Sequence, residues 1–218
     1  MADSGTAGDR LQLRKARTRA ALLRAARSFL AEGRLAVPVL EITQAADVGM
    51  GSFYNHFESK EQLFRAAVDD ALEAHGALLD ELTSGLDDPA EVFARSFRIT
   101  GRLHRVHPEI SKVLLSDSAS LITSEFGLAP RARRDLAAAG AAGRFTIHDP
   151  DLALALVAGA TIGLAQLLQN QPERDDGDST DRITEDLLRS FGLDATEARR
   201  ICDRPLPDVG GLLPPGDR

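Results

Sequence analysis

Between Pro38 and Phe57 the chain holds two short stretches of helical period joined by Asp47-Val48-Gly49-Met50-Gly51-Ser52. Glycine and aspartate at that junction suit a tight link. Two short helices joined in this way make a helix-turn-helix. The first presents Val39, Ile42 and Ala46 on its apolar face and runs to about Ala46, with Pro38 in its first turn, where a missing N–H goes unused. The second passes through Phe53, Tyr54 and His56. Upstream, Leu22, Ala26, Phe29 and Leu30 form one stripe at three- and four-residue spacing, which predicts a helix from about Leu11 that Gly33 stops. Downstream, Ser59 is placed as an N-cap with Glu61 and Gln62 in the first turn of a long helix to about Leu82.

The rest of the chain follows the same period. With 43% hydrophobic residues rich in alanine and leucine, one tyrosine and no tryptophan, β-branched and aromatic side chains are too sparse for an all-β fold. The fold class is all-α. Further helices are expected from about Pro89 to Arg105, from His107-Pro108 to about Thr123, from Pro130 to Ala142, from Asp149 to Gln169, from Thr180 to Phe191 and from Ala195 to Cys202. Residues 1–9 are expected to be a disordered arm, the acidic stretch Pro172 to Asp181 an exposed loop, and residues 205–218 a flexible tail. The uncharged run Leu152 to Leu168 is shorter than a bilayer span and contains Gln166, so it reads as a buried helix rather than a membrane segment.

Charge is distributed unevenly. The formal net charge is −7, yet residues 1–60 hold nine Lys/Arg against six Asp/Glu, a net of +3. From Arg10 to Arg27 seven basic residues meet no acidic one. Nucleic acid needs a local basic footprint rather than a basic protein, and a solvated helix face accounts for the run equally well on its own. The single cysteine, Cys202, cannot form an internal disulfide, and the polar, basic N-terminus lacks the apolar core of a secretory signal, so the expectation is a reduced cytoplasm and no membrane.

The stretch Ile42 to Val68, ITQAADVGMGSFYNHFESKEQLFRAAV, resembles the DNA-binding signature of TetR-family regulators. Ala45-Ala46, Val48, Gly51-Ser52, Phe53-Tyr54-Asn55-His56-Phe57 and Ser59-Lys60-Glu61-Gln62-Leu63-Phe64 carry the match, and TRAALLRAARSFLAEGR is similar to the family's first helix. The resemblance implies an N-terminal three-helix helix-turn-helix domain, residues 10–60, followed by a larger helical ligand-binding and dimerisation domain, residues 61–204. It implies a repressor that binds a near-palindromic double-stranded DNA operator as a homodimer and releases it on binding a small-molecule effector, with no enzymatic activity and no cofactor.

The candidate DNA contacts follow from the motif. Gly49, Met50 and Ser52 sit where base edges are approached: glycines allow the backbone close, Ser52 bonds a base or phosphate, and Met50 packs against a thymine methyl. Tyr54, His56 and Lys60 resemble the family's phosphate and groove contacts. Four positions depart from the family pattern. Asp47 stands where a turn glycine is common, Gly49 and Met50 where Ser and Lys are common, and Pro38 where a hydroxyl residue often touches phosphate. Thr43 and Gln44 are placed to take over part of that last role, and Arg10, Arg14, Lys15, Arg17 and Arg19 to supply the lost charge.

In the second half, the stretch from Asp149 to Gln169, with its alanines and glycines, is the candidate interface helix together with that from Thr180 to Phe191. The effector is expected among the helices between Leu72 and Gln169. Candidate lining residues are Phe93, Phe97, His104, Leu114, Ser118, Phe126 and Gln166. His104 and His107 share a helix face, but without cysteines or a carboxylate cluster no metal site is expected. A glycine-rich phosphate loop, a nucleophile elbow and a Cys/His constellation are all missing from the sequence. The alternative is a helical ligand- or protein-binding module without DNA binding, which salt-dependent duplex binding discriminates.

Overall fold

The structure is a computed structural model that describes residues 4–106, 111, 115 and 127–207. Among the described residues there are nine helices and no strand: α1 (Ser4–Ala31), α2 (Val39–Ala45), α3 (Met50–Tyr54), α4 (Lys60–Thr83), α5 (Pro89–Val106), α6 (Leu128–Ala141), α7 (Pro150–Asn170), α8 (Asp176–Ser190) and α9 (Ala195–Cys202). They form two compact units, residues 1–71 and 72–218, with the boundary inside α4 rather than at its start. The helix expected after His107-Pro108 lies outside the described residues, as does the tail beyond residue 207.

In the first unit the stripe on α1 does what its spacing requires. Leu22, Ala26, Phe29 and Leu30 are buried with Ile42 of α2, Phe53 of α3, and Leu63, Phe64 and Ala67 of α4. Gly33, at φ +74°, ends α1 in the left-handed conformation glycine adopts freely. Arg27 Nη1 reaches Asp70 Oδ2 at 3.1 Å, fastening α1 to α4. The Arg34 guanidinium caps the Phe29 ring, 4.8 Å from its centroid, and pairs with Glu41. At the start of α4, Gln62 N donates to Ser59 Oγ at 3.1 Å and the Gln62 side chain accepts from Glu58 N at 2.6 Å, a reciprocal cap that satisfies two otherwise unpaired donors.

Three expectations are corrected here. Residues 4–9 belong to α1 instead of forming a disordered arm, although Gly5 and Gly8 are poor helix formers. Pro38 caps α2 from outside, with φ −66° and ψ 150°, rather than sitting in its first turn. The third helix ends at Tyr54, so His56 lies in the turn after it.

In the second unit α5 packs against α6, α7 and α8. Its centre is aromatic. Phe93 meets Phe145 edge-on at 5.5 Å and Phe191 at 5.7 Å, and Phe145 lies 5.1 Å from Phe191. Such edge-on pairs add about 1 kcal/mol each beyond the area they bury. Arg98, buried on α5, forks onto Asp181 of α8, with Nε to Oδ1 at 2.7 Å and Nη2 to Oδ2 at 3.3 Å, and Arg102 holds the same carboxylate.

The stretch expected as a loop from Pro172 to Asp181 is half helical. Asp175 caps α8 by accepting from Asp178 N at 2.7 Å, and Asp176 and Asp178 lie in the first turn, where negative charge is favoured. The acidity that suggested an exposed loop is the signature of a helix start. Asp149 likewise caps α7, accepting from Asp151 N and Leu152 N at 2.9 and 3.1 Å.

α7 is long and apolar enough to cross a membrane, with mean hydropathy 1.8. Within one protomer it is buried along one side only, rather than all round. Ala153, Leu154, Val157, Leu164 and Leu168 face the core, whereas Leu152, Ala155, Leu156, Gly159 and Gly163 recur at three- and four-residue spacing on an exposed stripe. Cys202 is buried on α9, and burial pushes its thiol up to about 12, so almost none is thiolate at neutral pH.

Candidate DNA-binding and effector sites

The turn between α2 and α3 is held by backbone bonds: Ala46 N to Ile42 O at 3.0 Å, Asp47 N to Gln44 O at 3.1 Å and Val48 N to Thr43 O at 3.0 Å. Asp47 takes φ +52°, the left-handed conformation that a non-glycine residue enters at a cost of about 1 kcal/mol and that aspartate tolerates better than most. This reversal brings Gly49 to the N-cap of α3 and leaves Gly49, Met50 and Gly51 exposed along its leading edge. A Cβ at Gly49 or Gly51 would meet nothing within 4 Å, so that edge is open to an incoming surface.

Behind that edge Phe53 is fully buried, and Tyr54 stands edge-on to it at 5.2 Å with 61% of its surface exposed. An exposed tyrosine anchored by a buried neighbour has a rigid ring and a free hydroxyl, which is what a phosphate contact requires. Gln44 is exposed, while Ser52, His56 and Lys60 are half-buried. Along α1, Arg10, Arg14, Lys15, Arg17 and Arg19 are exposed, and the Arg19 guanidinium lies 5.6 Å from the centroid of the Phe57 ring. Thr43 is a correction. It is 2% exposed, and its hydroxyl donates to Leu40 O at 2.9 Å, so it is spent on the helix and unavailable to DNA.

The second unit contains a cleft of about 70 Å³. Leu79, Phe93, Phe97, Leu128 and Val157 supply its apolar walls, and Ser96, Thr100, Thr161, Arg131, Arg134 and Asp135 its polar groups. At about 10–15 Å³ per water-sized site, the space corresponds to roughly five waters, the scale of one aromatic ring with small substituents. Asp135 is buried; burial raises its pKa and the adjacent Arg134 only partly offsets this. Thr100 Oγ1 lies 2.8 Å from Ser96 O, to which it donates, and 3.0 Å from His75 Nε2, which then carries the proton.

A family model for bacterial regulatory proteins of the tetR family matches residues 22–67, and one for the tetracyclin repressor-like C-terminal domain matches residues 88–204. The chain belongs to the TetR family.

Among solved structures, RolR in complex with resorcinol is 39% identical over 90% of this chain and 98% of that one, with a TM-score of 0.72. RolR without ligand is 38% identical over 87% and 98%, with a TM-score of 0.69. The fatty acid degradation regulator FadR from Bacillus halodurans, 15% identical over 78% and 94% with a TM-score of 0.64, shares the fold. No curated protein sequence matches the chain. As a TetR-family protein this is a DNA-binding transcriptional regulator, and its second unit is the family's effector-binding half.

The expected effector residues fare unevenly in this TetR-family chain. Phe93 and Phe97 line the cleft. Leu114, Ser118 and Phe126 lie outside the described residues. Gln166 is exposed on α7 away from the cleft lining, and His104, though buried, is not in that lining either. The polar groups of the cleft were not among the expected residues. Arg131, Arg134 and Asp135 stand at i, i+3 and i+4 in an alanine-rich helix, so they share one face, and that spacing was the available signal. Among the described residues no group of three or more His, Cys, Asp or Glu could hold a metal ion.

His104 has a different role. Its Nδ1 lies 2.6 Å from Ser111 Oγ, and burial pushes the imidazole down to about 4 from an ordinary 6.5. Between those values the unfolded chain binds a proton that the folded chain does not. The stabilisation is therefore complete above about pH 6.5 and is lost as the pH falls toward 4. The melting temperature of the second unit is expected to drop between pH 7 and pH 5, with a shallower drop in a His104→Gln variant. Equal slopes for the two proteins would show that His104 is not the titrating group.

Proposed function

We propose that the protein is a ligand-responsive repressor: a homodimer that occupies a near-palindromic operator through α3 and releases it when a small hydroxylated aromatic compound enters the cleft of the second unit. The observation that carries the DNA half is the exposed edge of α3, where Gly49, Met50 and Gly51 lead and Tyr54 stands out beside a fully buried Phe53. Gln44, Ser52, His56, Lys60 and the α1 arginines, Arg14 and Arg17 foremost, complete the contact set.

The dimer is supported by the exposed stripe on α7, where Leu152 and Leu156 remain 69% and 47% exposed beside small residues that permit close approach. A second copy packing the same stripe, with α8 alongside, buries it symmetrically. The effector class is supported by the 39% identical RolR, solved with resorcinol, and by a cleft of single-ring size that mixes phenylalanine walls with hydroxyl, carboxylate and guanidinium groups.

The test is selection of duplexes from fragmented genomic DNA by the purified protein, at two salt concentrations and with Tyr54→Ala and Lys60→Ala variants. A near-palindromic site is expected, with each substitution weakening it by about 1–3 kcal/mol and added salt weakening it further. A folded, ligand-stripped dimer that enriches no sequence would refute the reading.

A further inference from the structure

Arg131 and Arg134 give the cleft the look of an anion site, but most of their donors are committed. Arg131 Nε donates to Asp80 Oδ2 at 2.8 Å, Nη2 to Glu73 Oε1 at 2.8 Å, and Nη1 both to Glu73 Oε2 at 3.0 Å and to Gly127 O at 2.8 Å. Four of the five N–H groups of an arginine are thereby used. α4 is shaped to receive this side chain. Glu73, Gly76 and Asp80 fall at three- and four-residue spacing on one face, and a Cβ on Gly76 would stand 2.5 Å from Arg131 Nη1. The glycine is a notch in which the guanidinium lies between two carboxylates.

The second arginine is engaged as well. Arg134 Nη1 meets Asp80 Oδ1 at 2.8 Å, and its Nε and Nη2 both donate to Asp135 Oδ1, at 3.0 and 2.9 Å. The Arg131 guanidinium and the Gly127 N–H hold the Glu73 carboxyl down to about 2. Three carboxylates thus face two guanidiniums, leaving one negative charge in excess. Asp135 Oδ2 accepts no hydrogen bond among the described residues, although its side chain is only 7% exposed. Seven of the ten N–H groups of the two arginines are thus engaged with carboxylates or a carbonyl, and what the cleft offers beside them is an acceptor.

We propose that the cleft selects its effector by charge, admitting an uncharged hydroxylated ring whose O–H donates to Asp135 and excluding an anionic ring of the same size. This rests on the cleft being the effector site. A neutral O–H exchanges one hydrogen bond to water for one to a charged acceptor. A carboxylate loses its hydration beside an excess of negative charge, and a full guanidinium fork for it would have to be taken from Glu73, Asp80 or Asp135, which leaves that carboxylate unpaired.

Isothermal titration calorimetry of the full-length protein at neutral pH with three probes tests this: resorcinol, 3-hydroxybenzamide and 3-hydroxybenzoate, the last two matched in shape and differing in charge. Resorcinol and the amide are expected to bind, and the carboxylate at least about tenfold more weakly than the amide, a difference readily resolved. Glu73→Gln, which removes one negative charge and releases one side of Arg131, is expected to narrow that gap. Asp80→Asn makes the same change at the other carboxylate, and melting curves of both variants show which remain folded. If the amide and the carboxylate bind equally while resorcinol binds, charge selection is overturned and the effector reading stands. If no probe binds, both fall.

Discussion

A Phe53→Ala protein is expected to lose the first unit's fold while keeping the second's. Phe53 is fully buried on α3, which packs against α2, with the Tyr54 and Phe57 rings at 5.2 and 6.1 Å. Removing a buried phenylalanine side chain costs about 3–5 kcal/mol, through lost transfer energy and the cavity left behind. Small domains have about 5 kcal/mol of stability to lose at the lower end of the range, so the substitution removes most of it. The measurement is thermal unfolding followed by far-ultraviolet circular dichroism beside duplex binding. An early transition of part of the helical signal, together with lost duplex binding, is the expected pair of results. Unchanged melting would mean that Phe53 is not the keystone its burial indicates.

Gly101→Val is the second large effect, and it falls on the other unit. A Cβ at position 101 would stand 2.4 Å from Thr180 Cγ2, 2.6 Å from Thr180 Oγ1 and 3.0 Å from Leu164 Cδ2. Thr180 cannot move aside cheaply: it is fully buried and its hydroxyl donates to Asp176 O. Overpacking of this kind costs about 1–3 kcal/mol and occasionally more, against about 1 kcal/mol that a glycine inside a helix forgoes. A branched residue belongs near the top of that range. Chemical denaturation of the single variant and of Gly101→Val combined with Thr180→Ala separates the cause. The double variant should recover part of the loss, because the atoms in conflict are those of Thr180. No recovery would place the conflict elsewhere.

The first unit was legible in the sequence because each of its signals is local. The α1 stripe, Gly33, the Ser59 cap and the glycine-rich turn are set by neighbours within four residues, and those neighbours are visible in one dimension. Asp47 was legible for the same reason: a turn glycine replaced by aspartate still demands positive φ, and it is found at +52°. What failed locally was a conflict of cues. Asp176, Gly177, Asp178 and Ser179 read as a loop by composition, whereas the helix start they form is decided by Asp175 and by the burial of Thr180 and Thr184 behind it.

The cleft proposed for the effector was poorly legible because its walls come from four helices and its polarity from pairs far apart in sequence. Arg131 acquires its meaning from Glu73 and Asp80, more than fifty residues upstream. Phe93 and Phe97, picked by aromatic character, line the cleft, whereas His104 and Gln166, picked by polar or aromatic character too, do not. Thr43 failed for a related reason, since residue type indicates a capacity to bond and not the partner already taken.

The aspartate at the α2–α3 turn carries a further consequence. Its backbone strain is close to neutral for stability, since glycine would relax the turn but also widen the unfolded ensemble. Its exposed carboxylate is not neutral toward a polyanion. With α3 docked on DNA as proposed, it repels phosphate on every duplex alike, whatever the sequence. It therefore shortens the dwell time on wrong sites as much as on the right one, so the target must be won by matched base contacts, and a search along the chromosome is spent on brief visits rather than long ones.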